Sequence, residues 1–267
     1  MNTSADVKST AYLTSLVRKS WVDACGFHPM TDREVLDHVI QHAKKMKGVV
    51  LLDLDSTLYE VGPRTLQILR EFKDSELSRP FVKVRAALDA MKPSQIGYSL
   101  ADTFTHLGLD PKEQEDALKA GKDFWGKRFF TNEYLDFDHT YEGAPEFVRE
   151  VYETGAEIIY LTGRDEPGMG IGTRSRLIRD GFPFDRERTH LLLKENFHLD
   201  DLEHKSKATD YVKQIGSLIA SFENEPPNVV AIHDIFPESL HVFMDTVYSD
   251  RPADPRNGLY RITSFAP

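Results

Sequence analysis

Cysteine is almost missing from this sequence: Cys25 is the single copy in 267 residues. No disulfide can form within the chain, and the paired cysteines of structural zinc sites are excluded. The ordinary role for such a residue is a small buried hydrophobe in a reducing compartment. Long apolar runs are missing too, and none approaches the roughly 18 residues of a membrane span. The opening residues, MNTSADVKSTAYL, lack the basic start and apolar stretch of a secretory leader, so a cytoplasmic location is expected. Basic charge is also short. Lys and Arg number 33 against 43 Asp and Glu, a formal net charge of -10. That balance argues against a general nucleic-acid binder, though it leaves room for a local basic groove. Internal repeats and low-complexity tracts are absent. His198 and His204 stand without an H-E-x-x-H or C-x-x-C partner and read as ordinary histidines.

What is present suits a globular enzyme: 40% hydrophobic and 28% charged residues, over a length that builds one large core or a core with an insert. Residues 8 to 46 read as two helices. Leu13, Leu16, Val17 and Trp21 keep helical spacing in the first, and Thr31 caps a second that ends at Met46. The period then changes. GVVLLDLD, residues 48–55, is a short run of buried-strand type that ends in carboxylates. Similar runs recur at 157–163, 189–194, 217–222 and 241–247. Helices are expected between them: one from Pro145 to Gly155, one from Thr173 to Gly181, one from Ser206 to Gly216. Strands alternating with helices predict a doubly wound, mostly parallel α/β sheet of the Rossmann-like kind, with ligands at the carboxyl ends of its strands. Residues 61–138 break the rhythm with helical patterns only, too long for a loop. The expected organisation is therefore a helical extension over 1–47, a core over 48–60 and 139–267, and a helical cap insert over 61–138.

The chemistry concentrates at strand ends. In LLDLDSTL, Asp53, Asp55 and Thr57 alternate, which places all three on one side of a strand. Two carboxylates so close repel each other unless a cation holds them, and Mg²⁺ favours hard oxygen ligands. The bland alternative is an acidic pair opening a surface loop. The second run ends in Thr162-Gly163-Arg164, where a hydroxyl and a backbone amide suit a phosphoryl oxygen, or simply a turn. Lys205 precedes the helix that Ser206 would cap, a good place to meet a dianion, with Lys194 and Lys207 as competitors. The fourth run ends in FENEPPN, offering Glu223, Asn224 and Glu225 to a cation or to an acidic loop. GMGIG, residues 168–172, reads as a flexible glycine loop over the site. KDFWGKRFF, residues 122–130, reads as cap core with snorkelling cations, or as a surface that stacks on a base.

In this order the four signals resemble the haloacid dehalogenase superfamily: D-x-D-x-T, then Thr or Ser, then Lys, then an acidic cluster. The likeness covers about 48–60 and 139–250, and the helical module sits where such enzymes carry a cap. YLTGRDEPGMGIGTRSRLIRDGFPFD, with HLLLK and HKSKATDYV behind it, is similar to the acid-phosphatase branch. ENEP is similar to the D-N-x-P of the small RNA-polymerase-tail phosphatases, where the Asn binds metal. Glu223 departs from the Asp found there, so Asn224 and Glu223 both stay open as the direct ligand.

The resemblance implies a Mg²⁺-dependent phosphatase with Asp53 as nucleophile and Asp55 as general acid and base, its backbone carbonyl also on the metal. Thr162 and Lys205 would hold the phosphoryl oxygens. Thr57 and Gly163 would contact the substrate, a small phosphorylated compound, and Arg164 would either touch it or brace the loop. A carboxylate at Asp55 speaks against a dehalogenase, whose halide needs no acid. The alternatives are a nucleotide or polynucleotide end-phosphatase and a non-catalytic binding protein of the same fold.

Overall fold

The structure, a computed structural model, describes residues 20–199 and 201–266. Leu13, Leu16 and Val17 of the expected first helix lie outside them; residues 20–24 are helical and Trp21 is buried.

All five residues of β2 (Val49–Asp53) are buried, so this strand has no solvated face and must be flanked on both sides. It pairs in parallel with β5 (Glu157–Asp165) and β7 (Leu218–Glu223), with Asp53 opposite Leu161 and Leu51 opposite Ser221. The full sheet has seven strands, all parallel, in the order β1-β9-β8-β7-β2-β5-β6. The remaining members are β1 (Gly26–Phe27), β6 (Thr189–Lys194), β8 (Leu240–Met244) and β9 (Asn257–Ile262). The doubly wound, Rossmann-like α/β class expected from the sequence is the fold observed.

Alternation along β2 divides its side chains between two apolar layers. Val50 and Leu52 join one core with Val35 and Val39 of α1 (Asp32–Met46) and Val148 and Val151 of α6 (Ala144–Glu153). Val49 and Leu51 join another with Ala208 and Val212 of α8 (Asp201–Ile215) and Ile232 of α9 (Pro226–Ile235). Asp53 shares the parity of Val49 and Leu51, which directs it toward the α8 side.

The insert leaves and rejoins the core through a two-stranded antiparallel ribbon, β3 (Tyr59–Glu60) and β4 (His139–Thr140). Between them run α2 (Gly62–Asp74), α3 (Val82–Ala90), α4 (Leu100–Thr105) and α5 (Pro111–Phe129). These helices bury an apolar cluster of their own, which includes Leu69, Phe72, Val84, Leu88 and Phe104.

Four expectations are corrected. The segment before the first sheet motif is more than a helical extension, because Gly26–Phe27 pairs with β9 at the sheet edge. α1 is capped by Thr31 as expected, in a box where the Thr31 side chain takes the Glu34 amide and Glu34 takes the Thr31 amide. β9 was missed, since its polar first half carries no run of apolar residues. The helix expected from Thr173 begins at Glu166 as α7 (Glu166–Arg179), so GMGIG is helical and not a loop. Asp165 caps it by accepting the Gly168 amide at 2.9 Å. Its glycines serve close packing: a Cβ on Gly172 would lie 2.9 Å from Leu135 Cδ1 and 3.0 Å from the Asn132 carbonyl. Finally, α8 begins at Asp201, which places Ser206 inside the helix and not at its cap.

Candidate active site

The carboxyl ends of β2, β5 and β7 open into a cavity of about 720 Å³ that reaches up into the insert. Asp53, Asp55, Gly163, Arg164, Lys205, Glu223 and Asn224 all line it. Thr57 and Thr162 do not; both sit behind the wall, bonded to the carboxylates in front of them.

The chain turns sharply after Asp53. The Leu54 carbonyl accepts from the amides of Thr57, Leu58 and Tyr59, and Ser56 adopts a φ of 64°. Strand alternation therefore does not explain how Thr57 reaches the site, as the sequence suggested. The turn folds Thr57 back, and its hydroxyl lies 2.8 Å from Asp53 Oδ2 and 3.2 Å from Asn224 Oδ1. Thr57 is thus an orienting residue with no face on the cavity.

Asp53 is buried beside other anions. Burial, and then the neighbouring Glu223 carboxylate, push its pKa well above the usual range, while Lys205 and the Thr57 hydroxyl pull the other way. Lys205 donates to Glu223 Oε2 at 2.9 Å. It projects from the second turn of α8 and not from the helix N-terminus, so its effect on the anions comes from its own charge. Lys194, at the end of β6, lines the same cavity, whereas Lys207 turns to the surface pairs Glu203 and Glu195.

Asp55 is held by two arginines. Arg164 grips it in a fork, Nε to Oδ2 at 2.9 Å and Nη2 to Oδ1 at 2.8 Å, and Arg64 Nη2 adds a contact at 2.9 Å. Burial would raise the Asp55 pKa, but the Arg164 and Arg64 charges outweigh it and hold the carboxyl far below the usual range. Both guanidiniums also bond the wholly buried Asp138, Arg64 at 2.7 and 2.5 Å and Arg164 at 2.9 Å. The cluster balances two positive charges against two negative ones, as burial demands. Asp55 is therefore anionic as it stands, in contrast to the proton donor the sequence pointed to. Thr162 also departs from expectation. Its hydroxyl lies 3.5 Å from Asp55 Oδ2, and its carbonyl receives His204 Nε2 at 3.0 Å.

The ENEP segment separates its side chains by role. Glu223 is occupied by Lys205 and by the Glu225 amide at 3.1 Å. Glu225 anchors the following loop, accepting from the Ser249 amide and hydroxyl and from Arg251. The Asn224 amide nitrogen donates to the Val247 carbonyl at 2.6 Å, which turns its oxygen toward Thr57 and the cavity. Hard oxygens of Asp53 and Asn224 at one point, beside a carboxylate under repulsion, fit Mg²⁺ chemistry. No cage of three or more His, Cys, Asp or Glu side chains is formed among the described residues.

Arg64 and Asp138 escaped the sequence reading. Arg64 stands in the first turn of α2, among residues that read as ordinary helix, and Asp138 lies in an irregular acidic stretch. Only the folded chain brings them to Asp55.

No protein-family model matches the chain, and no curated protein is similar to it in sequence. Several solved structures are similar in shape. A predicted phosphatase from Clostridium acetobutylicum is 13% identical, with a TM-score of 0.48, over 82% of this chain and 95% of that one. A HAD-superfamily hydrolase, subfamily IA, from Geobacter sulfurreducens is 13% identical, with a TM-score of 0.45, over 82% and 92%. Protein tyrosine kinase A of Mycobacterium tuberculosis is 13% identical, with a TM-score of 0.49, over 82% and 95%.

Proposed function

We propose that this chain is a Mg²⁺-dependent phosphomonoester hydrolase of the haloacid dehalogenase type, acting through an aspartyl-phosphate on Asp53. The observation that carries the reading is the meeting of Asp53, Lys205, Asn224 and Asp55 at the carboxyl edge of three neighbouring strands, inside one cavity.

Asp53, held by Thr57, presents a carboxylate oxygen to the phosphorus and forms the covalent intermediate. Lys205 and the Gly163 backbone face the incoming phosphoryl oxygens. Asp53, Asn224 and the Asp55 carbonyl would hold Mg²⁺, with Glu223, on the same cavity wall, holding Lys205 in place. When bound, the cation would neutralise charge on the phosphate and relieve the Glu223 repulsion that adds to burial in raising the Asp53 pKa. Asp55, anionic in the arginine grip, is ready to accept a proton from the water that hydrolyses the intermediate. Protonating the leaving oxygen requires Asp55 first to part from Arg164 and Arg64 and to take up a proton from solvent, which it then gives to the leaving oxygen. Arg64 belongs to the insert, so that step is tied to the position of the insert over the sheet.

The test is release of inorganic phosphate from a panel of phosphate esters with Mg²⁺, with and without chelator. Wild type should turn over in a chelator-sensitive way, and Asp53→Asn should lose at least about a thousandfold. Near-normal turnover by pure, folded Asp53→Asn would end the nucleophile assignment.

A further inference from the structure

The upper part of the cavity has a different chemistry from its floor. Every carboxylate that lines it, from Asp53 to Glu225, comes from the sheet edge, its loops or the ribbon. Between residues 61 and 138 the lining contains no Asp, Glu, Asn or Gln. A sugar or polyol needs such paired donors and acceptors at each hydroxyl, because an unmatched hydroxyl forced out of water is costly. Four hydroxyl residues of the insert line the cavity, Thr65, Ser94, Tyr98 and Ser99; of these Thr65 accepts the Trp125 indole N–H at 3.2 Å and Ser99 accepts the Asp102 amide.

Aromatic rings form one side of this part of the cavity. Trp125 and Phe129 stack with centroids 4.3 Å apart and an interplanar angle of 26°. Phe130 meets both edge-on, at 5.6 and 5.0 Å, and then meets Phe197 of the core at 5.0 Å. All four line the cavity, with Ile96 and Leu100 contributing apolar surface from elsewhere in the insert. The wall is continuous from insert to core and is fixed at Trp125 by the indole bond. A volume of about 720 Å³ lies within the range of sites that hold organic ligands of drug size, far beyond a phosphate alone.

We infer that the phosphate esters this site takes carry a flat aromatic group on the leaving alcohol, and that Trp125, Phe129, Phe130 and Phe197 select it. This inference rests on the phosphatase reading. A nucleobase and a plain aryl ring share the necessary chemistry, and both would lie against the wall with Lys122 at its rim.

The experiment compares kcat/KM for four primary-alcohol esters of similar intrinsic reactivity: 2-(1-naphthyl)ethyl phosphate, adenosine 5′-monophosphate, glucose 6-phosphate and ethyl phosphate. At least one aromatic ester should exceed the other two by about tenfold or more. Preference between the two aromatic esters separates a nucleobase from a plain ring, and either result supports the inference. Trp125→Leu should narrow the aromatic-to-ethyl ratio, and Phe197→Ala, half-exposed and outside the insert's core, should do the same without risk to folding. Glucose 6-phosphate or ethyl phosphate turned over as well as both aromatic esters would overturn the inference and leave the phosphatase reading intact. Turnover of no ester would defeat the phosphatase reading. The wall is then tested by calorimetry with the naphthylethyl and ethyl phosphonates: tenfold tighter aromatic binding that Phe197→Ala removes upholds it, and equal binding overturns it.

Discussion

Asp53 shows how one hydroxyl decides the behaviour of a buried carboxylate. The Thr57 side chain fixes Asp53 Oδ2 and reaches Asn224 Oδ1 in the same contact, so it orders the two side chains together. Thr57→Val keeps the shape and removes the donor; kcat should fall by about tenfold to a hundredfold, as the loss of a buried hydrogen bond implies, with the far-ultraviolet spectrum unchanged. Asn224→Ala should raise the Mg²⁺ concentration for half-maximal activity by about tenfold to a hundredfold, whereas Glu225→Gln should act on the Ser249 loop and leave that concentration near wild type. Away from the site, His241 is buried, donates from Nε2 to the Phe236 carbonyl and accepts the Ser221 hydroxyl at Nδ1, which fixes the neutral ring. Burial lowers its pKa from 6.5 to about 4. The unfolded chain takes up this proton as pH falls through 6.5, and the folded one only near 4. Stability from this residue is therefore full above pH 6.5 and is lost between 6.5 and 4, on the order of 3 kcal/mol over that window. Urea unfolding at pH 7 and pH 5 checks it: the drop should shrink in His241→Gln.

Among the elements, the parallel strands are legible because each carries a short continuous apolar run. VVLLD is buried throughout, EIIYLTG is buried over most of its length, and THLLLK is a half-buried edge strand; each forms a strand within one or two residues of the expected limits. The two-residue strands and β9 were not legible, since their pairing comes from partners elsewhere in the chain and their composition is mixed. In α7 glycine marks a close approach and not a bend. At the site, the residue types could be read from strand ends, but their relations could not. The grip of Arg64 and Arg164 on Asp55, and the division of work between Glu223 and Asn224, depend on contacts between distant segments. Gly143, by contrast, is a glycine that backbone geometry demands. It precedes α6 with a φ of 82°, and a Cβ there would lie 2.1 Å from the Phe265 carbonyl oxygen. Gly143→Ala should cost about 2 kcal/mol or more, read as a lower urea midpoint, with activity per folded molecule retained.

In the whole molecule, the charge cluster around Asp138 is the joint between insert and sheet. Asp138 stands beside the returning ribbon, Arg64 at the first turn of the insert, Arg164 and Asp55 on the sheet. Asp138→Ala leaves two buried guanidiniums sharing one partially exposed carboxylate, and should lower stability by about 3–5 kcal/mol in thermal or urea unfolding. Arg64→Lys keeps the charge and breaks the fork, and should cost less. The strand order has a further consequence, in time. β2 lies at the centre of the sheet, yet its partners β5 and β7 follow it by roughly a hundred residues and more. During synthesis at about 5–20 residues per second, the apolar β2 emerges and waits on the order of ten seconds for β5. The helices between β3 and β4 make local contacts and can close their own cluster in that interval, so they can pack before the sheet is complete. Until β5 arrives, the strand bearing Asp53 is the part of the nascent chain most open to wrong pairing, and a chaperone that shields short apolar runs would act there first.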